Sequence, residues 1–116
     1  MNRFVALVVS GIAVSGSLDA AKTEFVTGNT LYGWCISANS RDICTAYVMG
    51  VVDQDAFPTG LHAYFCLRSE VTGIQLKDVV LKHLQEHPES RDLPASIEVN
   101  VALRQMFPCA DPKKAP

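Results

Sequence analysis

The chain has 116 residues, 48% of them hydrophobic and 19% charged, with 10 basic and 12 acidic side chains and a formal net charge of −2. One domain is the natural reading, since two independent cores would need roughly 200 residues or more. The charge balance argues against a nucleic-acid backbone binder, which concentrates Lys and Arg to replace condensed counterions; no polybasic run is present.

The first element in chain order is a leader. Arg3 precedes an apolar run over 4–14 that only Ser10 and Gly11 interrupt, and small residues follow to Ala21. This is the order of a secretory signal peptide, with cleavage preferred after Ala20 and nearly as well placed after Ala21, so that residues 1–20 are removed and 21–116 left as a single domain. The run is too short to span a bilayer as a helix, which needs about 20 residues. Losing Arg3 and Asp19 leaves the net charge unchanged.

Thr27-Gly28-Asn29-Thr30 offers N-cap candidates before Leu31, Trp34, Cys35 and Ala38, whose spacing predicts a first helix over about 29–38. A turn at 39–42 leads into Ile43, Cys44, Tyr47, Val48, Val51 and Val52, an amphipathic pattern for a second helix that ends before Pro58. Gly50 costs that helix about 1 kcal/mol relative to Ala, so a close helix crossing is expected there. Residues 57–71 read as an irregular, aromatic stretch.

Thr72 and Gln75 form a capping-box pattern at the head of a third helix. Its inner face should carry Leu76, Val79, Val80, His83 and Leu84, and Pro88 should stop it. Pro94 suits the first position of a fourth helix. There Val99, Ala102, Leu103, Met106 and Phe107 form the inner face, widened by Ile97 and Val101, and Pro108 ends it. Period-two alternation is too brief for a convincing strand, with weak candidates only at 17–26 and 64–67. The fold class is therefore all-α: a small four-helix bundle made of two helical hairpins.

An exported domain with four cysteines and no C-x-x-C is most simply read as holding two disulfides. Three connectivities are open to four cysteines. A helical hairpin brings Cys35, at the end of the first helix, to Cys44, at the start of the second. Antiparallel third and fourth helices bring Cys66, just before one, to Cys109, just after the other. The predicted staples are Cys35 with Cys44 and Cys66 with Cys109.

Catalytic signatures are weak. His83-Leu84-Gln85-Glu86-His87 matches the H-x-x-E-H order of inverted zinc peptidases, in which two histidines on one helix face bind zinc and the glutamate serves as base. Against that, His87 directly precedes Pro88, where the backbone leaves helical geometry, and the helix dipole explains a histidine near a helix C-terminus. The pairs Asp53/Asp55 and Glu86/Glu89 do not converge on one substrate, and no G-x-S-x-G elbow or phosphate loop is present. No catalytic residue, metal site or cofactor is expected. The aromatic stretch 57–65 reads instead as a contact surface for a protein partner, with Phe57, His62 and Tyr64 its leading contacts.

Several landmarks also resemble a known family. These are T-G-N-T-L-Y-G-W-C at 27–35, C-T-A-Y-V-M-G-V-V-D at 44–53, F-C-L at 65–67, G-I-Q-L-K-D-V-V at 73–80, H-P-E at 87–89, L-P-A-S at 93–96 and F-P-C at 107–109. In this order they are similar to the Rap/Tai-type immunity proteins of type VI secretion amidase effectors. Those proteins are small, periplasmic, helical and often dimeric. The resemblance implies a periplasmic immunity protein that binds and inhibits a peptidoglycan-cleaving amidase, without catalysis of its own. The alternative is an acid-stress chaperone of the HdeA type, also a small disulfide-bearing helical protein of the periplasm, which opens at low pH.

Overall fold

The computed structural model describes residues 25–55 and 64–110, together with Gly11. The leader and the positions of Phe57 and His62 lie outside the described residues. Four α-helices follow in order: α1 (Gly28–Ile36), α2 (Arg41–Asp55), α3 (Gly73–Glu86) and α4 (Ala95–Met106). A single 3₁₀ turn over Pro88–Ser90 lies between α3 and α4. Among the described residues there is no strand, only an isolated bridge between Thr27 and Pro94.

Each start and stop has a local cause. The Thr27 hydroxyl accepts the Thr30 backbone N–H and caps α1. Thr72 and Gln75 form the full capping box of α3, the Thr72 N–H donating to Gln75 Oε1 at 2.8 Å. Pro94 falls one position earlier than the spacing suggests, as the residue that leads into α4. The Arg91 guanidinium donates to the Leu84 carbonyl at the end of α3 and lies 3.9 Å from the Tyr32 ring centroid, linking three elements with one cation.

All four helices pack on one another. The core comprises Leu31, Cys35, Cys44, Val48, Val51, Val52, Phe65, Leu76, Val80, Leu84, Ala95, Val99, Ala102 and Leu103. Both disulfides take the expected pairing. Cys35–Cys44 closes the α1–α2 hairpin and Cys66–Cys109 joins the approach to α3 to the exit from α4. A backbone bond from Cys66 N–H to the Phe107 carbonyl, 2.9 Å, reinforces the second staple.

Four expectations about packing change. Ile43, Ile97 and Met106 sit about half exposed at the edges of their apolar stripes, and Ala38 lies in the turn after α1. Phe65 is fully buried, so the aromatic stretch divides into a core residue and its neighbours. Gly50 marks no helix crossing, since a Cβ there would meet nothing within 4 Å. The glycine that permits close approach is Gly28. Its N–H donates to the Leu93 carbonyl at 2.9 Å, and a Cβ would stand 2.9 Å from both the Cα and the carbonyl oxygen of Arg91.

Candidate functional site

One face of α2 and one face of α4 meet around a groove of about 490 Å³. Tyr47, Gly50, Val51, Gln54 and Asp55 come from α2, whose three- and four-residue steps put them on a single side. Ser96 and Asn100, one turn apart, come from α4, and Tyr64 closes one end. Tyr64 is 54% exposed and lies two residues before Cys66 of the second disulfide. Its ring centroid lies 6.0 Å from the Arg104 guanidinium.

The groove has a mostly apolar wall and a polar end. Asn100 Nδ2 donates both to Asp55 Oδ2 at 2.7 Å and to the Ser96 carbonyl at 2.9 Å, which pins α4 to the last turn of α2. Asn100 Oδ1 is buried without a hydrogen-bond partner. Burial between the helices raises the Tyr47 phenol above its ordinary pKa, against the lowering effect of hydrogen bonds with Ser96. Trp34 meets Tyr47 edge to face at 6.2 Å between centroids, extending the aromatic surface onto α1.

The H-x-x-E-H segment does different work. His83 Nε2 and Glu98 Oε2 share a hydrogen bond of 3.0 Å in the core, with His83 8% and Glu98 2% exposed. The Ser90 hydroxyl donates to the same carboxylate oxygen at 3.1 Å. His87 turns its Nδ1 to Glu89 Oε1 at 3.0 Å, and Glu86 faces solvent near Lys82. The two histidines thus take different partners, His83 the buried Glu98 and His87 the exposed Glu89. Among the described residues, no group of three metal-ligating side chains converges. The Glu89 carboxyl is held below its usual range, first by its own backbone N–H and then by His87.

Of the three contact residues expected from the aromatic stretch, Tyr64 lies at the groove; Phe57 and His62 fall outside the described residues. Spacing did not single out the groove. Tyr47, Gly50 and Gln54 mark one face of α2, and Ser96 and Asn100 one face of α4, yet nothing in either pattern says that the faces meet. Glu98 had a signal: it shares the helical face of Ala95, Val99 and Ala102, all buried.

The domain is a small all-α bundle with two covalent staples and an open groove between α2 and α4. No described helix is long and apolar enough to cross a membrane. A family model of Rap1a immunity proteins matches residues 27–109, from the cap of α1 to the last cysteine of the second disulfide. The chain belongs to the Rap1a immunity protein family. Membership implies an immunity protein for a type VI secretion effector, with a protein partner and a non-enzymatic role. Comparison with curated proteins and with solved structures found no match.

Proposed function

We propose that this chain is exported to the periplasm, where it binds a peptidoglycan-cleaving amidase effector and blocks its active site. The observation that carries the reading is the extent of the family match, which takes in all four helices and both disulfides. Disulfide usage supports an oxidising compartment, and the apolar leader ahead of the domain supplies a route to it. Inhibition of this kind needs no chemistry. A scaffold already stapled loses little conformational entropy on docking, so more of the contact energy appears as affinity. The segment 57–65 contributes contacts to the effector through Phe57, His62 and Tyr64.

The test has two parts. N-terminal sequencing of the chain from a periplasmic fraction should begin at Ala21. The purified 21–116 chain should bind an amidase effector encoded beside it and stop its release of peptidoglycan fragments at an equimolar ratio. Absence of binding, with suppression of client aggregation in acid instead, would overturn the immunity reading in favour of a chaperone. Inhibition unchanged after Phe57, His62 and Tyr64 are all replaced by Ala would remove the contact assignment alone.

A further inference from the structure

We propose that the α2–α4 groove seats a segment of the effector that carries a cationic side chain, an arginine or lysine, drawn to Asp55 and packed against Tyr47 and Tyr64. This rests on the immunity reading and adds which surface binds and what chemistry it selects.

Charge is the first argument. Asp53 and Asp55 occupy the last turn of α2, where unsatisfied carbonyls already make a helix end negative, and no basic residue stands in that turn. Among the described residues neither carboxylate forms an ion pair, and the groove walls hold no Lys, Arg or His. A cation carried by the effector meets a carboxylate with no ion-pair partner there, beside the Tyr47 ring; the Tyr64 ring already has the chain's own Arg104 guanidinium 6.0 Å from its centroid.

Hydrogen-bond supply points the same way. Both amide hydrogens of Asn100 are committed to Asp55 and the Ser96 carbonyl. Turning the amide over would set its oxygen against two acceptors, so the observed orientation is forced. At this end of the groove the acceptor left for an incoming group is the Asp55 carboxylate, since Asn100 Oδ1 is buried out of its reach. A guanidinium or ammonium brings only donors.

The opening is the third argument. Gly50 lies mid-helix, is exposed, and faces open space where its side chain would be. Packing within the chain does not call for glycine at this position. An incoming segment reaches the α2 backbone here without meeting a side chain.

The experiment uses the amidase effector identified by the binding test above, purified and titrated calorimetrically against four forms of the 21–116 chain. Gly50→Trp fills the groove and should weaken binding at least 100-fold. Gly33→Trp, on an exposed α1 position with equally open space, should change it less than twofold. Asp55→Asn should weaken binding about tenfold and flatten its dependence on salt, because one ion pair is lost. Circular dichroism checks that each variant melts cooperatively; if Gly50→Trp does not, Gly50→Leu takes its place. Tight binding by the wild type with Gly50 and Asp55 variants both within twofold overturns the groove proposal and leaves the immunity reading standing. A wild type that binds no amidase overturns both.

Discussion

Replacing His83 by Leu keeps the side-chain volume roughly constant while removing the partner of a buried carboxylate. Glu98 is 2% exposed and accepts from His83 at 3.0 Å and from Ser90 at 3.1 Å. After the change Ser90 alone remains, and its single hydroxyl proton is shared with the His87 carbonyl at 3.3 Å. Breaking a buried pair by deleting one partner costs about 3 kcal/mol or more, because the other is left desolvated without compensation. For a domain of this size each kcal/mol lowers Tm by about 4 to 8 °C, so the variant should melt about 12 to 24 °C below the wild type. Thermal unfolding followed by far-UV circular dichroism, with both disulfides intact, measures this. The double variant His83→Leu, Glu98→Leu removes the stranded carboxylate and should recover most of the loss. A single variant melting within about 3 °C of the wild type would refute the assignment of His83 as the internal partner of Glu98.

Other measurements follow from the same structure. Gly28→Ala would set a methyl group 2.9 Å from Arg91 backbone atoms and strain the bridge at Leu93, so a loss of about 1 to 3 kcal/mol is expected in urea unfolding. Cys35 and Cys44 are buried whereas Cys66 and Cys109 are exposed; mild dithiothreitol under native conditions followed by alkylation and mass mapping should label Cys66 and Cys109 first. Removing that 43-residue cross-link by Cys→Ser substitution should cost about 4 kcal/mol on the loop-entropy account. The raised Tyr47 pKa means the folded state holds the phenol proton more tightly than the unfolded chain. Its stabilisation is therefore complete below the ordinary tyrosine range and declines as pH rises through that range towards the folded value. Tyr47→Phe should reduce the alkaline loss of stability in melts taken on both sides of pH ~10.

Local physics determined much of this protein within the sequence itself. Three- and four-residue apolar repeats, the Thr72/Gln75 box and the prolines at 88, 94 and 108 specify helices and their ends through interactions a few residues long. The hairpin connections then placed Cys35 beside Cys44 and Cys66 beside Cys109, because antiparallel helices return the chain to where it began. Landmarks around those cysteines carried the family. Tertiary packing decided the rest. Whether an amphipathic residue lies at the centre or rim of its stripe depends on the crossing helices, which buried Val99 and left Ile97 and Met106 exposed. Likewise His83 became a core hydrogen-bonding residue only because α4 presents Glu98 opposite it, fifteen positions away in the chain. The groove belongs to the same level. Gly50 on α2 stands out in the sequence only as a mid-helix glycine and Asn100 on α4 not at all; helix packing brings their faces together, and no local pattern encodes that distance.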